Sequence, residues 1–128
     1  MKRNFFYLTS FALIILTAAF MFKANHPNKN QLRHVVLFKF KEGASAEDIK
    51  RVEEAFAALP DKIKEIRGFE WGINNSPENH DKGYTHCFLL TFDSEEGRAV
   101  YLPHPAHQEF GKLVGPLLDD VHVIDYWN

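Results

Sequence analysis

The segment HVVLFKFK, residues 34–41, decides the fold. It is dense in β-branched and aromatic residues and is closed by Gly43, which predicts a β-strand. Side chains alternate across a strand, so Val35 and Leu37 point one way while His34, Val36, Phe38 and Phe40 point the other. Both sets are mainly apolar. A strand of this kind needs cover on both faces, whereas an antiparallel sheet with helices on one side usually leaves the other polar.

Outward from this strand the pattern changes period. Ser45 with Asp48 resembles a capping box, and Ile49, Val52, Phe56 and Leu59 recur at helical spacing, predicting a helix from about Ala46 to Leu59. Pro60 ends or restarts it, and Ile63 and Ile66 add a turn before Gly68. Phe69, Trp71 and Ile73 alternate with polar or small residues as a second strand. Asn74 to Gly83 reads as a loop and Tyr84 to Phe92 as a third strand. Ser94-Glu95-Glu96 places a cap and two acids at a helix start. Pro103-His104-Pro105 interrupts that helix, and a second piece runs from Ala106 to about Leu118. Asp119-Asp120 reads as a turn before a fourth strand, Val121 to Trp127. The order predicts an α+β fold, a ferredoxin-like βαββαβ sandwich with a four-stranded antiparallel sheet.

The third and fourth strands repeat the two-faced pattern. Cys87 and Leu89 oppose Phe88, Leu90 and Phe92, and Val121, Val123 and Trp127 oppose Ile124 and Tyr126. Leaving one such face wet forfeits several kcal/mol at ~25 cal/mol per Å². A second copy packed twofold against the bare face is the economical cover, so the chain is expected to form a homodimer, a dimeric α+β barrel.

At 128 residues, the chain holds one domain. Of its 15 basic residues, Lys2, Arg3, Lys23 and Lys29 precede Leu32, which leaves 11 against all 17 acids and a net −6 for the body. Such a body replaces no counterions on a phosphate backbone, which argues against nucleic acid as a partner. The single Cys87 excludes an intrachain disulfide and a cysteine-based zinc site.

Residues 1–24 read as an address. Lys2 and Arg3 precede an apolar run from Phe5 to Phe22, and Thr17-Ala18-Ala19 suits cleavage after Ala19. The run is 18 residues, or about 27 Å as a helix against a hydrocarbon core of roughly 30 Å. A cleaved signal peptide is the preferred reading and an uncleaved membrane anchor the alternative. Both place the domain outside the cytoplasm. The polar, Pro-containing stretch 25–31 is a linker, and 32–128 is the domain.

Histidines supply the candidate chemistry. His34 opens the first strand, and His86 shares a face with Phe88 and Leu90 on the third. Pro105 suits the first turn of a helix and pushes His104 out of helical geometry, while His107 falls in that first turn. There the helix dipole favours the neutral, basic imidazole. His104 and His107 have metal-like i, i+3 spacing, but the proline turns His104 off the helical face and no carboxylate motif lies near. No metal and no cofactor are expected. Cys87 is expected to be a buried thiol facing the second copy.

The set HVVLFKFK (34–41), GYTHCFLLTF (83–92), YLPHPAH (101–107) and the terminal IDYW resembles the stress-responsive dimeric α/β-barrel (Dabb) domain across about Leu32 to Trp127. The resemblance implies dimers with packed sheets and a stress-response role. One plant branch comprises polyketide cyclases. Carried over from that branch, His107 is a general base removing a proton α to a carbonyl, Tyr101 polarises the carbonyl oxygen, and His34 helps hold the substrate. Pro103 departs from that branch, which tends to have an aliphatic residue there, and the export segment argues against a cytoplasmic polyketide as substrate.

Two classes of function follow. One is an exported stress-response or binding dimer that takes a small apolar carbonyl ligand in a pocket lined by His86, Phe38, Phe88 and Leu90. The other is a cofactor-free cyclase-like enzyme using His107, Tyr101 and His34. A haem- or quinol-type monooxygenase of the wider barrel group ranks below both. The enzyme reading requires the three side chains to converge on a cavity that Phe38, Phe88 and Leu90 do not fill.

Overall fold

The computed structural model describes residues 30–128, so the proposed signal or anchor lies outside the described residues. The elements are β1 (Leu32–Phe40), α1 (Ala46–Ala57), α2 (Leu59–Lys62), β2 (Gly68–Ile73), β3 (His86–Phe92), α3 (Glu95–Tyr101), α4 (Pro105–Val114), a 3₁₀ turn (Gly115–Leu117) and β4 (Leu118–Trp127). The strands form one antiparallel sheet in the order β2-β3-β1-β4. This is the ferredoxin-like arrangement expected of the sequence.

Helices α1 and α3 start where serine caps dictate. Ser45 Oγ accepts the Asp48 N–H at 3.1 Å and donates to the Asp48 carboxylate at 2.8 Å. Those bonds and Arg51 hold the Asp48 carboxyl below its usual range. Pro60 restarts the chain as α2, at whose head Leu59 is buried. Ser94 Oγ accepts the Gly97 N–H at 3.1 Å and opens α3.

The register sets the two faces. Val36 lies opposite Phe88 on one side and Val123 on the other. The helix-facing residues Leu32, Val36, Phe38, Phe88, Leu90 and Phe92 are buried. Phe56 of α1 sits in the middle of that layer, with ring centroids 4.4 Å from Phe88 and 4.5 Å from Phe110 of α4. The helices cover β1 and β3 but leave β4 bare: Val121, Val123 and Trp127 on its helix side and Ile124 and Tyr126 on its outer side are each 47–49% exposed.

One expectation is corrected here. Asp119 and Asp120 belong to β4 and are not a turn. The ladder shifts register between Lys39 and Phe40, and the pair is tied down by Lys39 Nζ at 2.9 Å from Asp119 and by the Tyr84 hydroxyl, which donates to Asp120 at 2.5 Å. Those partners offset the low strand propensity of aspartate. Cys87 is exposed in the single chain, on the outer face that none of the described helices covers and that the expected second copy would meet.

Candidate functional site

Adjacent strands bring His34 and Asp125 face to face, since they are register partners in the β1–β4 ladder. His34 Nδ1 stands 2.6 Å from Asp125 Oδ1, and the carboxylate only accepts, so Nδ1 carries the proton. Arg98 of α3 binds the other oxygen, Oδ2. Burial outweighs the pull of Asp125 and holds His34 below its ordinary value, which keeps the ring neutral near pH 7. Its Nε2 is then left with a lone pair.

Tyr101, at the end of α3, lies between the two imidazoles, its ring centroid 5.8 Å from His34 and 4.3 Å from His107. Burial pushes its phenol well above the usual range, so it remains a hydrogen-bond donor. His107, in the first turn of α4, has Nδ1 2.8 Å from the Leu102 carbonyl oxygen. A carbonyl cannot donate, so here too Nδ1 holds the proton and Nε2 is basic. The three residues picked out in the sequence therefore converge, with both imidazoles fixed in the same tautomer.

The other residues expected to line a pocket do not join them. His86 lies opposite Phe38, four residues along β1 from His34 and so about 13 Å away. Both its ring nitrogens are engaged, Nε2 with Glu53 Oε1 at 2.9 Å and Nδ1 with Thr85 Oγ1 at 2.8 Å. Phe40 and Trp71 pack against the ring. Phe38, Phe88 and Leu90 are packed in the core. On the helix-facing side of β4, Val123 and Trp127 flank Asp125 and stay half-exposed. An open cavity of about 620 Å³ lies between Leu37, Cys87 and Ile124 on the outer face of the sheet and the loop carrying His80 and Tyr84, and His86 is among its lining residues.

Asp125 and Arg98 were not singled out in the sequence. Asp125 had a signal: it is an acid in phase with Val121, Val123 and Trp127, and so must point at the helices. His104 and His107 spend their Nδ1 atoms on backbone groups. Among the described residues, no group of three or more histidine, cysteine or acidic side chains is placed to hold a metal.

The sheet order, the helix layer and the His–Tyr–His cluster at its edge define a ferredoxin-like α+β protein. The chain belongs to the stress responsive A/B barrel domain (Dabb) family, whose model matches residues 32–128. It is 44% identical over 98 residues to the stress-response A/B barrel domain-containing protein HS1 of Arabidopsis thaliana, covering 77% of this chain and 90% of that protein. It is 27% identical over 95 residues to olivetolic acid cyclase of Cannabis sativa, covering 74% and 94% respectively. Among solved structures, it resembles a dimeric protein of unknown function with a ferredoxin-like fold from Bacteroides fragilis, at 29% identity, a TM-score of 0.62, and 75% and 94% coverage.

Proposed function

We propose that this protein is a homodimeric stress-response protein that binds a small, largely apolar carbonyl compound between α3–α4 and the helix-facing side of β4. The observation that carries this reading is the pair of bare Nε2 atoms, on His34 and His107, set around the buried Tyr101 phenol. The phenol supplies a donor for a carbonyl oxygen, and Val121, Val123 and Trp127 supply apolar wall. Titration of short β-keto acids into the protein, followed by the ring signals of His34 and His107, tests it. Shifts confined to the cluster and lost in Tyr101→Phe support the site; unmoved signals at millimolar ligand overturn it.

The second reading is catalysis at the same place. The fixed tautomer of His107 favours it, because Nε2 is a ready general base for a proton α to the carbonyl, with Tyr101 polarising the oxygen. The 27% identity to olivetolic acid cyclase gives it modest support. Turnover of β-keto thioesters by the native protein and by His107→Ala decides between the readings; equal rates exclude the base.

Dimerisation is supported by the uncovered outer face, where Val35, Leu37, Leu89, Ile124 and Tyr126 share one side of the sheet, and by the dimeric relative from Bacteroides fragilis. Export rests on the basic start and apolar run of residues 1–24, as a cleaved signal or as an anchor that would be the chain's only link to a membrane. Mass spectrometry of the mature amino terminus, with cell fractionation, tests it: an intact Met1 in the cytoplasmic fraction refutes export.

A further inference from the structure

The turn between α3 and α4 is closed by His104. Its backbone N–H donates to the Tyr101 carbonyl at 3.0 Å, and its own carbonyl accepts the Gln108 N–H at 3.0 Å, the first bond of α4. Its side chain does something histidine seldom does. Nδ1 accepts the Ala106 N–H at 3.1 Å, and His104 is the N-cap of the helix, with Pro105 following as the first helical residue. A backbone N–H only donates, so Nδ1 must offer a lone pair and the ring proton must sit on Nε2. Serine, asparagine or aspartate at this position accepts the same bond, and serine and asparagine do so at every ordinary pH. Histidine caps only while it is neutral.

We infer that His104 is a proton-operated cap: protonation puts a hydrogen on Nδ1, breaks the bond to Ala106 and loosens the first turn of α4, which carries His107. The surroundings leave that step to the helix. Asp61 and Glu65, with Lys62 and Lys64, face His104 from α2 and the turn after it, and Val100 faces it from α3. Two acids and two bases offset one another there, whereas the N–H groups opening α4 point their positive ends at a ring that would itself be positive. His107 is tied to the same turn, because its Nδ1 bonds to Leu102 just before His104. Opening the cap therefore loosens the turn on which that ring is mounted. His104 never needs to touch a ligand for this; it is a positioning residue for His107, and the cap stands whether or not the site binds or turns over a carbonyl compound.

The test compares wild type, His104→Asn and His104→Ala in the unliganded protein. The readout is amide exchange at Ala106 and Gln108, corrected for intrinsic rate, at about pH 8 and about pH 5, on either side of the imidazole range. Wild type is expected to lose protection by roughly fivefold at the lower pH, the size of one lost cap. His104→Asn keeps its protection at both, since asparagine caps without titrating, and His104→Ala lacks it at both. A wild-type protein as flat as the asparagine variant overturns the inference. So does a pH-dependent loss that persists in His104→Asn, which would assign the step to another histidine, and so does full protection in His104→Ala at the higher pH.

Discussion

Asp125 lies across the β1–β4 ladder from His34 and accepts its Nδ1 proton at 2.6 Å, while Arg98 from α3 holds the other carboxylate oxygen. One carboxylate thus joins both strands to the helix that ends at Tyr101. Bonds of this charge-assisted kind contribute about 1.5–3 kcal/mol when largely shielded from water. Asp125→Ala strands a buried imidazole N–H and an unpaired guanidinium together, so urea unfolding is expected to show a loss of about 1–3 kcal/mol. The double variant with Arg98→Ala should lose less than the sum of the singles. Strict additivity would show that the bridge is not coupled.

His34 also gives stability a pH dependence with a definite sign. Burial holds its folded-state value below the unfolded one, so at low pH the unfolded chain binds the proton more readily. Its contribution is present in full above the unfolded imidazole range near 6.5 and is lost as pH falls from there through the folded value. Measured unfolding free energy is expected to fall over that interval in wild type and to fall less in His34→Gln. Parallel curves would remove His34 as the cause.

The aromatic centre sets the stability of the whole layer. Phe56 is 1% exposed and touches the rings of Phe38, Phe69, Phe88 and Phe110. Phe56→Ala is expected to cost about 3–5 kcal/mol, because a void among rigid rings collapses poorly. Phe56→Leu should cost less than half as much. Thermal melts of the two variants check the ordering.

The fold was largely legible because alternation and helical spacing are local properties. The faces of β1 and β3, the two caps and the break at Pro103-His104-Pro105 all follow from neighbours within a turn or two. The site was legible only in part. His34, Tyr101 and His107 stood out as residue types, but Asp125 is 91 residues from His34, and only the strand register unites them. Asp119 and Asp120 were misread for a related reason: their partners Lys39 and Tyr84 arrive from distant segments. The same holds for the bond between His86 and Glu53, whose partners lie 33 residues apart and meet only through the packing of α1 on the sheet.

Cys87 reports on the outer face without altering it. In the single chain it is exposed, and it lies among Val35, Leu37, Leu89 and Ile124, the side that dimerisation would cover. Partial burial and the charge of Glu70 push its thiol up, so its reaction with a maleimide is slow to begin with. Labelling is expected to be slower still at micromolar protein and to speed up on dilution, as dimers part. Leu89→Lys, which sets a charge in the middle of that face, should sediment at half the wild-type mass and label at the fast rate at all concentrations. A wild-type protein that sediments as a monomer and labels at one rate throughout would leave the outer face bare, and the dimer proposal would fail with it.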